Sequence, residues 1–309
     1  MNRRLPLLAL ALSGLLWGTS APLTKVALGA LGPGWLTATR FVLATVPLLW
    51  FARRDLRAAL TPGVALSGVL GYGVVVALWN EGLSRTSVSH GALMVGALPA
   101  MVALMALGSG RGSAGARAWT GVGLALAGVA LVASDGGSSS LTGDVLVLGS
   151  MLLSSAFTVR QPQLLHGRDP VAVTAVQFAA SALVTLPYAL VREGTVTPAG
   201  SGAGAWAAVG GLVIAGTLLP FTLFAWAQAR TTPEVAGAFL NLEPVVGAGA
   251  GALVFGDPFG GPQLAGALAV LVGIALSALP EGPVWRGGRQ LAAGVRARRP
   301  ALLRINPSA

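Results

Sequence analysis

Lys25, Arg40, Glu81 and Glu243 are ionisable side chains set inside stretches otherwise fit for hydrocarbon. Each is costly there unless paired or wetted, so each marks a point where a counter-charge, water or a ligand is expected. Glu243 lies near the middle of an apolar run over 235–255 and precedes Pro244, whose missing amide leaves a carbonyl unpaired and bends a helix. A carboxyl at that depth can carry a proton or hold a substrate amine; the alternative is a packing residue, protonated or paired with arginine. Asn241 stands roughly 200° away on the same helix, so both cannot face one cavity. Lys25 and Arg40 fall about one turn inside one membrane surface, and Glu81 ends its run at a similar level. Arg160, Gln161, Gln177 and Gln228 form the corresponding layer at the other surface. We read Lys25, Arg40, Glu81, Gln161, Gln177 and Gln228 as gating residues; snorkelling to the interface is the competing explanation.

Uncharged residues add two stripes. Ser13, Trp17, Ser20 and Thr24 recur at helical spacing on one face, and Ser150, Ser154, Phe157 and Gln161 repeat the pattern later in the chain. Tyr72, Val76 and Trp79 share another face, matched by Thr217, Phe221 and Phe224. Aromatic faces offer contact area to apolar substrates and attract cations. Trp17, Ser20, Thr24, Tyr72, Trp79, Ser154, Phe157, Phe221, Phe224 and Glu243 are therefore candidate binding residues for a small-molecule substrate. Hydroxyls bonding neighbouring helices, and aromatics facing lipid, are the plainer readings. His90, Met94, Met101 and Met105 line one side of a further run, where a histidine can titrate and methionines more often fill space.

The elements that must position these residues are membrane spans. Of 309 residues, 54% are hydrophobic and 10% charged, against about 25% charged in soluble domains. Apolar runs of spanning length fall at 5–29, 35–51, 62–81, 89–107, 118–134, 144–164, 170–191, 204–227, 235–255 and 262–280. The chain is also a duplication. PGWLTATRFVLATVPLL from Pro33 aligns with PVAVTAVQFAASALVTL from Pro170, and RTSVSHGALMVGALP from Arg85 with RTTPEVAGAFLNLEP from Arg230; the match continues through Gly121/Gly266 and Gly128/Gly273. Five spans per copy force the second copy to enter from the opposite side. The expected fold is an all-α membrane protein of ten transmembrane helices in two inverted-topology five-helix repeats, 1–135 and 136–281, followed by a basic cytoplasmic tail, 282–309. Helices 5 and 10, with almost no polar side chains, are expected at the periphery.

The net charge of +10 sorts by side of the membrane, which accounts for it without a nucleic-acid partner. With the N-terminus inside, sixteen of the 20 basic residues fall on inner segments, Arg85 and Arg192 alone fall in outer loops, and Lys25 and Arg40 are embedded. Both termini are thus expected in the cytoplasm, with the chain in the cell membrane. The first apolar run has a counterpart in the second copy, so we read it as a span rather than a signal peptide. The chain has no cysteine, and Lys25 is its one lysine, outside any G-x-x-x-x-G-K loop, so thiolate chemistry and P-loop ATP hydrolysis are excluded. The two histidines lie in different segments and suggest no metal cluster, and no motif calls for a cofactor. The tail from Arg286 to Arg304 reads as a topology anchor or a contact for anionic headgroups.

LLWGTSAPLTKVAL, TATRFVLATVPLL, the Pro99 segment, NLEPVVGAGAGALVFGD and QLAGALAVLVGIAL, in this order, resemble the EamA-type branch of the drug/metabolite transporter superfamily. The resemblance implies ten helices, cytoplasmic termini and a central cavity open alternately to each side, commonly used to export amino acids, metabolites or toxic compounds. The chain departs from that pattern in having LGSGRGSAG where the first copy usually carries an acid, and Asp257 where the second usually carries Glu. The function expected is a non-enzymatic secondary transporter, an exporter of small metabolites, amino acids or drug-like compounds, with protons as a candidate coupling ion. An intramembrane lipid-modifying enzyme and a non-transporting sensor or scaffold are the alternatives.

Overall fold

Proline writes much of the punctuation. Pro33, Pro62, Pro170 and Pro233 each open a helix at its first position, where a missing amide costs nothing. Thr61, Asp169 and Thr232 cap three of these starts, accepting from Val64, Ala172 and Val235 amides, and Ser140 caps a further helix through Gly143. The resulting chain is all-helical over the described residues.

The computed structural model describes residues 4–85, 88, 95, 98–108, 115–132, 140–196, 202–255 and 261–278. Its longer helices are α1 (Arg4–Ala27), α2 (Pro33–Ala52), α3 (Pro62–Leu83), α4 (Leu98–Gly108), α5 (Ala116–Val132), α6 (Leu141–Leu165), α7 (Pro170–Glu193), α8 (Ala203–Gln228), α9 in two pieces (Pro233–Phe239 and Leu242–Phe255) and α10 (Gly261–Ala278), with a single-turn helix at Leu56–Ala59 between α2 and α3. Six of them, α1, α2, α3, α6, α7 and α8, are long and apolar enough to cross a membrane. The apolar stretches of α5, α9 and α10 are shorter, at Trp119–Gly128, Val235–Gly247 and Leu264–Gly273. His90, Met94, Asp257 and the 282–309 tail lie outside the described residues.

Contacts respect the duplication. Helix α2 packs on its equivalent α7, α5 on its equivalent α10, and the pair α1·α8 is repeated as α6·α3. In α5 and α10 the contact is backbone to backbone: a Cβ on Gly128 would stand 2.5 Å from the Gly266 carbonyl, and one on Gly273 2.5 Å from the Gly121 carbonyl. Gly121 thus meets Gly273 and Gly128 meets Gly266, so the two helices run antiparallel. Small residues permit this approach where lipid removes the hydrophobic drive between helices. Helices α2 and α7 are antiparallel too, with Glu193 at the end of α7 accepting from the amides of Gly34 (2.6 Å) and Trp35 (3.2 Å) at the start of α2.

Four helices depart from regular α geometry, and the departures come in pairs. Helices α3 and α8 widen into π turns at Val69–Val74 and Ile214–Leu218, repeat-equivalent positions. Helices α1 and α9 break, at Thr19 and at Leu240–Asn241. The breaks fall three residues before Pro22 and four before Pro244. Pro22 cannot donate to the Gly18 carbonyl, and Pro244 cannot donate to that of Leu240, which accepts from Glu243 at 3.1 Å instead. The sequence predicted a bend in one continuous ninth helix; the structure has two pieces, and Glu243 lies in the first turn of the second. The broken segments touch, because Gly18 lets α1 approach the Glu243 carbonyl to 3.0 Å from where a Cβ would sit.

Candidate functional site

The π turns, the breaks and the aromatic stripes converge on one cavity of about 90 Å³. Trp17 and Ser20 of α1, Tyr72 and Trp79 of α3, Ser154 and Phe157 of α6, Phe221 and Phe224 of α8 and Glu243 of α9 line it, together with Arg40 of α2. Nine of the ten candidate binding residues are therefore brought together. Thr24, the tenth, is fully buried outside the lining, with no hydrogen-bond partner for its hydroxyl among the described residues. The aromatic rings touch in a continuous chain. Trp17 meets Phe221 and Phe224 edge-on at 4.9 and 5.1 Å, and Tyr72 lies 4.6 Å from both Phe157 and Phe221. Phe178 and Phe41 extend the chain to α7 and α2.

Repeat symmetry also pairs helix contacts beside the cavity, and Ser150 takes part in one while lining the cavity as well. Ser13 donates to the Pro220 carbonyl (3.1 Å), and its equivalent Ser150 to that of Val75 (2.9 Å), itself the equivalent of Pro220. These hydroxyls fasten α1 to α8 and α6 to α3. One turn further along each stripe, Trp17 and Ser154 open onto the cavity.

Arg40 sits in this cavity rather than in a layer with Lys25 and Glu81, where the sequence placed it. Its Nε donates to Thr217 Oγ1 (2.8 Å) and its Nη2 to the Gly216 carbonyl (2.9 Å), both inside the α8 π turn. A widened turn frees acceptors from the helical ladder, which is how an arginine finds partners at this depth. Its Nη1 has no partner among the described residues, nor do the hydroxyls of Ser20 and Tyr72. Glu243 of α9 lines the same cavity as Arg40. The cavity thus offers a guanidinium, a carboxyl group, unsatisfied donors and aromatic faces within one small volume.

Vestibules flank it. One, about 610 Å³, is lined by Lys25, Glu81, Arg85, Arg192 and Glu193; the other, about 690 Å³, by Pro162, His166, Arg168, Gln228 and Arg230. They occupy repeat-equivalent places, as Pro33/Pro170 and Arg85/Arg230 in their linings attest. In the first, Glu81 pairs with Arg85 and accepts from Tyr188 (2.9 Å). In the second, Arg230 stacks on Trp226 at 4.2 Å. Nearby, Gln161 and Gln177 exchange two amide bonds (3.2 and 2.8 Å), Gln177 reaches Ser67, and Gln228 donates to the Thr158 carbonyl. Sequence reasoning missed Tyr188 and Glu193. Tyr188 is one of two tyrosines in the chain, the one signal that pointed to it; Glu193 stands beside a loop and carried none.

The chain matches the EamA-like transporter family over residues 4–134 and again over 141–279, one match per repeat. It is 33% identical over 207 residues to a protein of Archaeoglobus fulgidus described as an uncharacterized transporter, covering 62% of this chain and 68% of that one. A solved crystal structure superposes over 88% of this chain and 96% of its own with a TM-score of 0.75 at 19% identity, a likeness of fold alone. The protein belongs to the EamA-like transporter family.

Proposed function

We propose that this membrane transporter is a secondary exporter of small metabolites, amino acids or drug-like compounds, working by alternating access of the central cavity to the two vestibules. The observation that carries the reading is the placement of Arg40 and Glu243 among aromatic rings between two repeat-related vestibules. A cavity of about 90 Å³ is well below the ~300–1,000 Å³ of sites that hold small molecules. Substrate entry therefore requires its walls to separate, and the broken helices α1 and α9 and the widened turns of α3 and α8 supply walls that bend at cavity depth. Broken helices at a midplane site are a recurring solution in transporters. The antiparallel contacts of α2 with α7 and of α5 with α10 support an inverted arrangement of the two repeats, and the distribution of basic residues supports cytoplasmic termini in a ten-crossing chain of the cell membrane.

In this reading Glu243 exchanges a proton against a substrate cation, Arg40 holds an anionic group or balances Glu243, and the rings carry the apolar part. Lys25 and Glu81 gate one vestibule; Gln161, Gln177 and Gln228 gate the other. Thermal-shift screening of the purified protein against amino acids, nucleosides and cationic drugs, followed by flux in vesicles, tests it. A compound that stabilises the protein and is moved by the wild type but not by Glu243→Gln is the expected outcome. Binding without flux under any imposed gradient contradicts a transporting role.

A further inference from the structure

Helix α3 has two working faces. Tyr72, Val76 and Trp79 face the central cavity, while Val74, Ala77 and Leu78 form the floor of a separate groove of about 380 Å³ between α3, α6 and α7. Leu146 of α6 and Val184 of α7 make its walls. Val184 is 43% exposed and its neighbour Leu183 76%, so the groove opens on the surface that meets lipid. One end is polar: Glu81, Arg85, Tyr188 and Arg192 close it. Glu81 is engaged by Arg85 and by the Tyr188 hydroxyl. Arg192 reaches Glu81 only at 3.9 Å and its side chain is 58% exposed, which leaves most of its five N–H donors turned outward. Two guanidinium groups against one carboxylate give the end a net positive charge.

We propose that this groove holds one anionic phospholipid, its acyl chain along Ala77, Leu78 and Val184 and its phosphate between Arg85 and Arg192. Guanidinium groups match phosphate oxygens in number and geometry, and an apolar channel running from them toward the lipid face fits an acyl chain. A wholly soluble ligand would leave the apolar walls unused, and a neutral lipid would leave the charge unmatched. The other repeat lacks this pattern. Its equivalents of Tyr188, Arg192, Glu81 and Arg85 are Phe51, Asp55, Trp226 and Arg230, one anion against one cation, so the lipid is held at one end of the molecule. Since Glu81 also lines the vestibule, the lipid sits against the same charge cluster that borders the substrate path.

Native mass spectrometry of the full-length protein, titrated with phosphatidylglycerol or with phosphatidylcholine of identical chains, tests this. One phosphatidylglycerol is retained, bound at least about tenfold more tightly than phosphatidylcholine. Arg192→Gln, at an exposed position, weakens phosphatidylglycerol about fivefold, the effect of about one basic contact near a membrane surface. Val184→Trp, also at an exposed position, fills the groove and removes retention of both lipids. Equal affinity for the two lipids, or wild-type retention in Val184→Trp, overturns the proposal. So does competition by glycerol phosphate at the lipid's own affinity, which would assign the site to the headgroup alone.

Discussion

Arg40 and Glu243 define the chemistry of the cavity as the one arginine and the one carboxyl group among the described residues of its lining. Arg40 is 3% exposed and bound by the α8 π turn, with one donor unused. Removing one of two opposed charges leaves the other uncompensated, which costs more than removing both. Arg40→Gln should therefore destabilise the protein more than the Arg40→Gln/Glu243→Gln pair does, with a coupling of about 1–3 kcal/mol in a double-mutant cycle. Thermal or denaturant unfolding in detergent measures it; additive effects would mean that the two charges do not sense each other. Glu243→Gln alone keeps size and hydrogen bonding but cannot titrate. It should fold, bind substrate and lose proton-driven flux, and unchanged proton-driven flux in vesicles would reduce Glu243 to a packing role. These two charges were legible in the sequence as costly groups in apolar runs. That both line one cavity was not, because Arg40 was placed by depth along its own helix, and its partners come from a π turn that no hydrophobic pattern announces.

At the scale of elements, irregular geometry falls on helices that line the cavity and regular glycine packing on helices that do not. The breaks of α1 and α9 follow from Pro22 and Pro244; the sequence was read as a bend at Pro244 alone, with nothing drawn from Pro22. That the two breaks touch through Gly18 was not legible, since spacing along one chain carries no record of what it will face. Helices α5 and α10 give the opposite case: Gly121, Gly128, Gly266 and Gly273 were matched as repeat partners and are the residues that touch. Gly128→Ala places a Cβ 2.5 Å from a carbonyl and should cost about 1–3 kcal/mol through overpacking. Gly123, on the same helix, has open space around its Cβ position, so Gly123→Ala should stay within about 0.5 kcal/mol of wild type. Comparable melting temperatures for the two variants would refute the close-packed contact.

The whole molecule is built on an internal repeat whose copies share positions and differ in chemistry. Arg40 is matched by Gln177, Tyr72 by Thr217, Ser20 by Phe157 and Glu81 by Trp226. In the proposed mechanism symmetry supplies two equivalent ways to open the cavity; the differences between copies give each end its own charge. Topology reporters fused after Ala309 and within residues 136–139, ahead of α6, should report opposite compartments, and one shared compartment would break the ten-crossing arrangement. The most direct test of the account concerns access to the cavity itself. In this cysteine-free chain, a single cysteine at Ser154 can be probed in oriented vesicles with a membrane-impermeant thiol reagent from either side. The account predicts labelling from both sides, slowed by a transported substrate, with Gly123→Cys on α5 unreactive. Labelling from one side only, with no protection by any substrate, would contradict alternating access.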